Sequence, residues 1–202
     1  MARGKFFGII KAYMVIQYYG GGSFRVSSGE KSILIDPENN RLKADVILRT
    51  ISPPNIDSES SAEIAFPGEY EIGGVEILGV GVPAESTEKF IKTVYYVTFE
   101  DIRLAFFGHI SKMPEVKILE EMGEPDVVII PTGADHFLPE QDAVTLIKKI
   151  EPAMVIPSFF KDLKNFKKAL GQKSAPEEKA VFKKKDLETG KIRLVTLAPK
   201  SS

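Results

Sequence analysis

Two histidines are the residues of this chain best suited to acid–base or metal chemistry. They are His109 and His136, and the 202-residue sequence contains no cysteine beside them. Each follows a short apolar segment, residues 104–107 and 127–131, that predicts a buried strand ending just before the imidazole. Open α/β sheets place their ligands beyond strand ends, so both histidines are candidate site residues.

Carboxylates accompany the histidines and extend the chemistry that is available. Asp135 precedes His136, and Asp36 follows another apolar segment. Two imidazoles with one carboxylate from Asp36, Asp135 or Glu85 would suit a single zinc or iron ion. The alternative is that each histidine is a loop residue bonded to the backbone, and the lack of a local ligand spacing favours that alternative. By the same reasoning Asp36 is expected to be a structural acceptor for backbone N–H groups.

The strands that must position these groups follow from hydrophobic runs. Residues 33–35 and 46–48 are short, apolar and rich in β-branched side chains, and they predict strands that lead to Asp36 and Thr50. Hairpin-like strands continue to residue 107, interrupted by a Ser-, Pro- and Asn-rich stretch at 52–61 that predicts a loop. The first half of the chain is therefore predicted to be almost entirely β-structure.

The second half changes to the apolar spacing of helices. Three segments show it: residues 114–122, 139–150 and 163–170. In the first of them Val116, Leu119 and Met122 are predicted to face the core, and Gly123 is predicted to end the helix. Strands are predicted again at 127–130, 154–156, 180–182 and 192–197. Meanders followed by strand–helix units predict two packed sheets with helices outside.

Four motifs carry a resemblance to a known family. They are LIDP at 34–37, ADVIL at 44–48, PGEYEIGG at 67–74 and PDVVIIP at 125–131. With these motifs the chain resembles the small single-domain branch of the metallo-β-lactamase superfamily, near the lactonase-like zinc hydrolases. The resemblance implies an α/β fold, a four-layer αββα sandwich, over residues 14–199. Residues 1–13 are then expected to be an N-terminal extension. It also implies that His109 and His136 face the same rim.

The metal-binding part of the family pattern is missing. The resembling enzymes hold two metal ions with several histidines and aspartates, and at the matching positions this chain has Ile51, Pro53, Asn55, Ile56, His109 and Phe159. Isoleucine, proline and phenylalanine offer no side-chain lone pair, so no dinuclear site and no cofactor are expected. The open alternative is one zinc or iron ion at a site that the family does not use.

Charge and composition limit the partners. There are 27 basic and 28 acidic residues, and no apolar run has the length of a membrane span. The stretch 161–193 is rich in lysine and could meet an acidic partner, but its dispersed lysines favour a solvated face over nucleic acid. A cysteine-free chain is compatible with the cytoplasm. The sequence leaves a homo-oligomer open and does not identify the ligand.

These observations predict a non-hydrolytic binding or scaffold module built on a metallo-β-lactamase fold. Two alternatives remain. One is a metal-dependent hydrolase with a site rebuilt around His109 and His136. The other is an interaction protein that uses the basic C-terminal face.

Overall fold

The computed structural model describes residues 13–55, 62–133 and 136–200, and these residues form two packed β-sheets. The predicted extension at 1–13 lies almost wholly outside this range, as do Ile56 and Asp135. In chain order the strands are β1 (Met14–Gly20), β2 (Ser23–Ser28), β3 (Lys31–Ile35), β4 (Val46–Leu48), β5 (Ile51–Ser52), β6 (Glu63–Ile64), β7 (Gly68–Ile72), β8 (Val75–Gly81), β9 (Ile91–Phe99), β10 (Ile102–Phe106), β11 (Val127–Pro131), β12 (Met154–Ser158), β13 (Ala180–Phe182) and β14 (Arg193–Leu194).

The two sheets differ in how their strands are paired. The first has the order β13-β1-β2-β3-β4-β6, with antiparallel pairs from β13 to β3 and parallel pairs from β3 to β6. The second has the order β14-β12-β11-β10-β9-β8-β7. Strand β5 is not part of this order and pairs with β9. Strands β10, β11, β12 and β14 are parallel, so the carboxyl ends of β10 to β12 share one edge.

Side chains alternate between buried and partly exposed along the strands, and the buried ones form a core between the sheets. Every second residue of β1 is buried while its neighbours are partly exposed, the period expected for a strand with one covered face. Side chains such as Ile16, Ile33, Val97 and Ile129 join one inner cluster. Burial of each large aliphatic side chain contributes about 1.5–3 kcal/mol. The predicted two-sheet sandwich is confirmed.

Three α-helices cover the outer face of the second sheet. They are α1 (Val116–Met122), α2 (Glu140–Ile150) and α3 (Lys164–Ala169), and the sequence predicted all three. Their buried residues belong to a second apolar cluster with residues of β10 to β12. None of the described helices is long and apolar enough to cross a membrane.

The structure corrects the predicted buried face of the first helix. Val116 was expected to face the core but is 57% exposed, and Ile118 is buried in its place. The helix begins only at Val116, so its single buried stripe is set by Ile118 and Met122, four residues apart. Gly123 ends the helix with φ 65°, as predicted.

Several strand boundaries also differ from the predictions. Ser52 belongs to β5, although the sequence predicted a loop from that residue onward, because two residues are too few to show a period. Among the hairpin-like strands predicted up to residue 107, β6 is limited to two residues, Glu63–Ile64. The strand predicted at 192–197 is only β14, Arg193–Leu194, since the residues after it pair with a single bridge between Glu177 and Leu197.

Candidate functional site

A chain of hydrogen bonds joins Asp36, Thr50 and His109 where three strands end. Asp36 follows β3, Thr50 lies two residues beyond β4, and His109 lies three residues beyond β10. The Thr50 hydroxyl is 2.5 Å from Asp36 Oδ2 and 2.7 Å from His109 Nδ1. The Thr50 backbone N–H donates to Asp36 Oδ1 at 2.8 Å. Both carboxylate oxygens of Asp36 therefore accept from the same threonine.

The direction of each bond follows from the single hydroxyl proton of Thr50. An ionised carboxylate can only accept, so this proton points to Asp36. The hydroxyl oxygen then accepts the Nδ1–H of His109, which makes Nε2 the unprotonated ring nitrogen. The arrangement holds the imidazole in one tautomer and one orientation.

Burial sets the ionisation of this pair. Loss of water raises the pKa of Asp36 from 3.8 to about 6, against the opposing effects of the Thr50 hydrogen bonds and the Arg49 charge. Burial also lowers the pKa of His109 to about 4, and the nearby charge of Lys92 lowers it further. At neutral pH the carboxylate is ionised and the imidazole is neutral. The 3.5 Å approach of His109 Nδ1 to Asp36 is therefore a contact through Thr50 and not an ion pair.

The close approach of Thr50 to the second sheet depends on Gly108. This glycine has φ 50°, a conformation that L side chains rarely adopt. A Cβ at this position would stand 2.1 Å from the Thr50 hydroxyl oxygen. Only glycine therefore permits the turn that brings His109 onto Thr50.

Two aromatic rings pack against His109, whose side chain remains 23% exposed. The rings of Phe137 and Phe159 stack with centroids 3.8 Å apart, and the centroid of Phe159 is 4.9 Å from that of His109. Phe159 has φ 48°, and its backbone N–H donates to the carbonyl oxygen of Gly21 at 3.1 Å. Its ring lies so near Gly22 that a Cβ there would be 2.4 Å from the ring. We call Asp36, Thr50, His109, Phe137 and Phe159 the strand-end cleft.

An ion pair lies beside the strand-end cleft. Lys92 Nζ is 2.8 Å from Glu85 Oε2, and both side chains are mostly buried. The Glu85 carboxylate also accepts from the backbone N–H and hydroxyl of Ser111 and from the backbone N–H of Lys112. Burial disfavours the Glu85 anion, but these hydrogen bonds outweigh it and hold the pKa of Glu85 below its usual value. Glu85 is thus occupied as an acceptor.

Among the described residues, those at the family's ligand positions do not fit a dinuclear metal site. Ile51 is part of β5 opposite Lys92, while Pro53 and Asn55 are exposed on the loop that follows. Phe159 supplies a ring and no lone pair. The rings packed against His109 are those of Phe137 and Phe159.

His136 and the carboxylates do not complete a ligand set within the described residues. His136 is exposed, and its neighbour Phe137 has its ring centroid 5.8 Å from that of His109. In residues 13–55, 62–133 and 136–200 no three His, Cys, Asp or Glu side chains are grouped to hold a metal ion. A set that includes Asp135 lies outside the described residues, so the one-metal alternative stays a prediction.

The lysine-rich stretch forms a surface on α3 and on the turn after β13. Three of its eleven basic side chains form ion pairs: Lys184 with Asp126, Lys191 with Glu188 and Arg193 with Glu177. Such exposed pairs contribute little to stability. The surface is therefore less cationic than its lysine count indicates.

Comparison with known proteins identifies the family. Residues 15–158, most of the chain, match the profile described as a beta-lactamase superfamily domain. The chain belongs to the beta-lactamase superfamily. A UPF0173 protein of Pyrococcus abyssi resembles this superfamily member with 25% identity over a 177-residue alignment, which covers 73% of this chain and 83% of that protein. The resemblance predicted from the sequence motifs is confirmed.

Solved structures of the superfamily share the fold at low identity. A protein from Thermotoga maritima, described as a candidate Zn-dependent hydrolase of the metallo-beta-lactamase superfamily, superimposes with a TM-score of 0.73 at 20% identity, covering 92% of this chain and 100% of its own. A metallo hydrolase from Ignicoccus hospitalis gives 0.65 at 16% identity, covering 85% and 99%. These similarities establish the beta-lactamase superfamily fold and leave activity to the residues of the cleft.

Sequence reasoning missed two contributors to the site. Lys92 carried a signal, since it is the one charged residue inside the otherwise uncharged strand β9. Phe137 carried none, because an aromatic residue beyond a strand is also typical of an ordinary loop. Its pairing with Phe159 joins two loops that are 22 positions apart in the chain and meet only in the fold.

Proposed function

We propose that this superfamily member is a non-hydrolytic binding or scaffold module. The single observation that carries the proposal is the position of the Thr50 hydroxyl. It bonds to both Asp36 and His109, so one hydroxyl group serves two of the polar side chains left in the cleft. Both carboxylate oxygens of Asp36 are thereby occupied, and of the two residues only His109 keeps a free lone pair, on Nε2. One imidazole is fewer than the three protein ligands that a catalytic zinc site usually has.

The aromatic pair in front of the cleft supports the same proposal. Phe159 occupies a position where the resembling enzymes have a histidine, and its ring stacks on Phe137. Stacked aromatic rings bury apolar surface and reduce the space for water beside the imidazole, and hydrolysis requires water as a reactant. The cleft is therefore suited to join two sheets and not to activate a nucleophile.

Element-specific metal analysis of the full chain tests the proposal. The protein is purified without chelators and assayed with ester, lactone and phosphodiester substrates, with and without added Zn²⁺, Mn²⁺ or Fe²⁺. We expect metal content well below one ion per chain and no hydrolysis that depends on His109. Stoichiometric metal, or turnover that the His109→Ala variant abolishes, would contradict it.

The alternative is a hydrolase that uses one metal ion at a rebuilt site. Its support is that His109 Nε2 takes no part in the Thr50 bond, and that His136 adjoins Phe137, whose ring is near His109. Structural relatives are described as metal-dependent hydrolases. This alternative predicts one zinc or iron ion per chain, lost in the His109→Ala/His136→Ala double variant. The single His136→Ala variant shows whether the second histidine is needed.

A further inference from the structure

A cavity of about 450 Å³ opens at the end of the sandwich opposite the strand-end cleft. Its walls come from the beginning of β1, the end of β2, the beginning of β10 and the turn after β13. They are Met14, Ser28, Glu100, Ile102, Lys183, Lys184 and Lys185. Strands β3 and β10 run from this end toward Asp36 and His109. The volume lies within the range of about 300–1,000 Å³ that is usual for small-molecule sites.

The floor of this cavity is apolar and continuous with the core. Met14 and Ile102 are 1% and 3% exposed, and both belong to the cluster between the two sheets. They come from different sheets, so the cavity opens on the seam of the sandwich. A ligand that reached them would need an apolar body of its own.

Ser28 provides the polar group inside the cavity. It is 4% exposed, and in the described part of the chain its hydroxyl has no hydrogen-bond partner. Buried hydroxyl groups are nearly always bonded, because leaving one unsatisfied costs free energy. The hydroxyl of Ser28 is thus available to donate to a ligand acceptor.

Lysines give the cavity rim a positive charge. Lys184 is paired with Asp126, and the ammonium of Lys183 lies over the Tyr13 ring at 4.2 Å, while Lys185 is exposed. Glu100 is the acidic side chain of the lining. With Lys184 paired to Asp126, Lys183 and Lys185 stand against Glu100, and this small positive excess suits a monoanion better than a dianion such as a phosphate ester.

We propose that this cavity binds a small apolar carboxylate, such as a medium-chain fatty acid. The alkyl body would lie on Met14 and Ile102. The carboxylate would accept hydrogen bonds from the Ser28 hydroxyl and from the ammonium groups of Lys183 and Lys185. Binding at this cavity does not depend on the chemistry of the strand-end cleft, which lies at the other end of the sheets.

Titration of the full chain with decanoate tests the proposal, with binding measured by calorimetry and by backbone amide NMR. Decan-1-ol supplies the chain without the charge, and acetate supplies the charge without the chain. We expect saturable binding of decanoate alone, with shifted amide signals at Ser28 and Ile102 and unshifted signals at Phe159. Equal binding of decan-1-ol or acetate, or shifts centred on Phe159, would overturn it.

Substitutions then separate the predicted contacts. Ser28→Ala removes a hydroxyl that has no partner in the described fold, so it is expected to leave the melting temperature unchanged and weaken decanoate binding by about tenfold. Lys185→Gln is expected to weaken binding in the same direction. Lys173→Gln changes an exposed lysine outside the cavity and serves as the matched control. Unchanged affinity in the folded Ser28→Ala and Lys185→Gln variants refutes the site.

Discussion

The ring of Phe159 lies directly against the backbone of Gly22, where an added Cβ would be 2.4 Å from Cζ and 2.7 Å from Cε2. The Gly22→Ala substitution therefore forces the ring out of its stack on Phe137. We expect the free energy of unfolding to fall by about 1–3 kcal/mol, the usual cost of overpacking. Urea denaturation of the two proteins measures this difference.

A double-mutant cycle shows whether Phe159 is the cause. In the Phe159→Ala background the space beside Gly22 is empty, so the additional Gly22→Ala change is expected to cost less than it does alone. Equal costs in the two backgrounds would mean that the strain lies elsewhere in the turn.

Removal of the Thr50 hydroxyl group is expected to change the pKa of Asp36 more than removal of the Thr50 methyl group does. Thr50→Val keeps the size but leaves Asp36 Oδ2 and His109 Nδ1 without their shared partner, at a cost of about 1–3 kcal/mol. Because the Thr50 hydroxyl bond lowers the pKa of Asp36, the variant is expected to raise that pKa further. Carboxyl carbon NMR measures it. Thr50→Ser retains the hydroxyl and is expected to retain the wild-type pKa.

Stability of the wild-type protein is expected to change little with pH between about 4 and 6, because two groups act in opposite directions there. The raised pKa of Asp36 means that the folded state keeps a proton that the unfolded chain has lost, so this contribution falls as pH rises. The lowered pKa of His109 means the reverse, so its contribution rises with pH. Each is on the order of 1–3 kcal/mol over its full range.

Substitution of either residue is expected to reveal the pH dependence of the unfolding free energy that the other residue causes. In Asp36→Asn only the His109 contribution remains, so the unfolding free energy should rise with pH across this window. In His109→Gln only the Asp36 contribution remains, and the unfolding free energy should fall. Chemical denaturation at a series of pH values gives both slopes. Parallel profiles for the two variants would show that burial does not set these pKa values.

The charge of Lys92 is expected to influence the imidazole without contacting it. Lys92 lowers the pKa of His109, second to burial, so Lys92→Met should raise that pKa. The change is measured from the imidazole proton signals in a His136→Gln background, which leaves one histidine. Lys112→Met removes an exposed neighbouring charge and is the control. No change in the Lys92 variant would mean that its charge is fully compensated by Glu85.

The sheets and helices could be predicted because they depend on local repeats. Strand β4 was predicted with its observed bounds, Val46–Leu48, since a short β-branched run between polar residues has few other structures. The short strand β5 could not, because its pairing with β9 depends on residues about 40 positions away. Exposure of Val116 likewise depends on where the helix begins, which the apolar period does not fix.

In the site, too, features that depend on residue type could be predicted, and contacts between distant residues could not. The absence of family ligands was visible from residue types alone, and the placement of Asp36 and Thr50 at strand ends followed from the strands before them. The hydrogen bond from Thr50 to His109 joins residues 59 positions apart, and it requires Gly108 to lack a side chain. Such a long-range contact produces neither a hydrophobic period nor a motif in the sequence.

The bond between the Phe159 amide and the Gly21 carbonyl links the loop after β12 to the turn between β1 and β2, and so ties the two sheets together at the cleft. Any motion that separates the sheets at this end must break this bond. The exchange rate of this one amide proton with deuterium therefore reports how often the closed end of the sandwich opens.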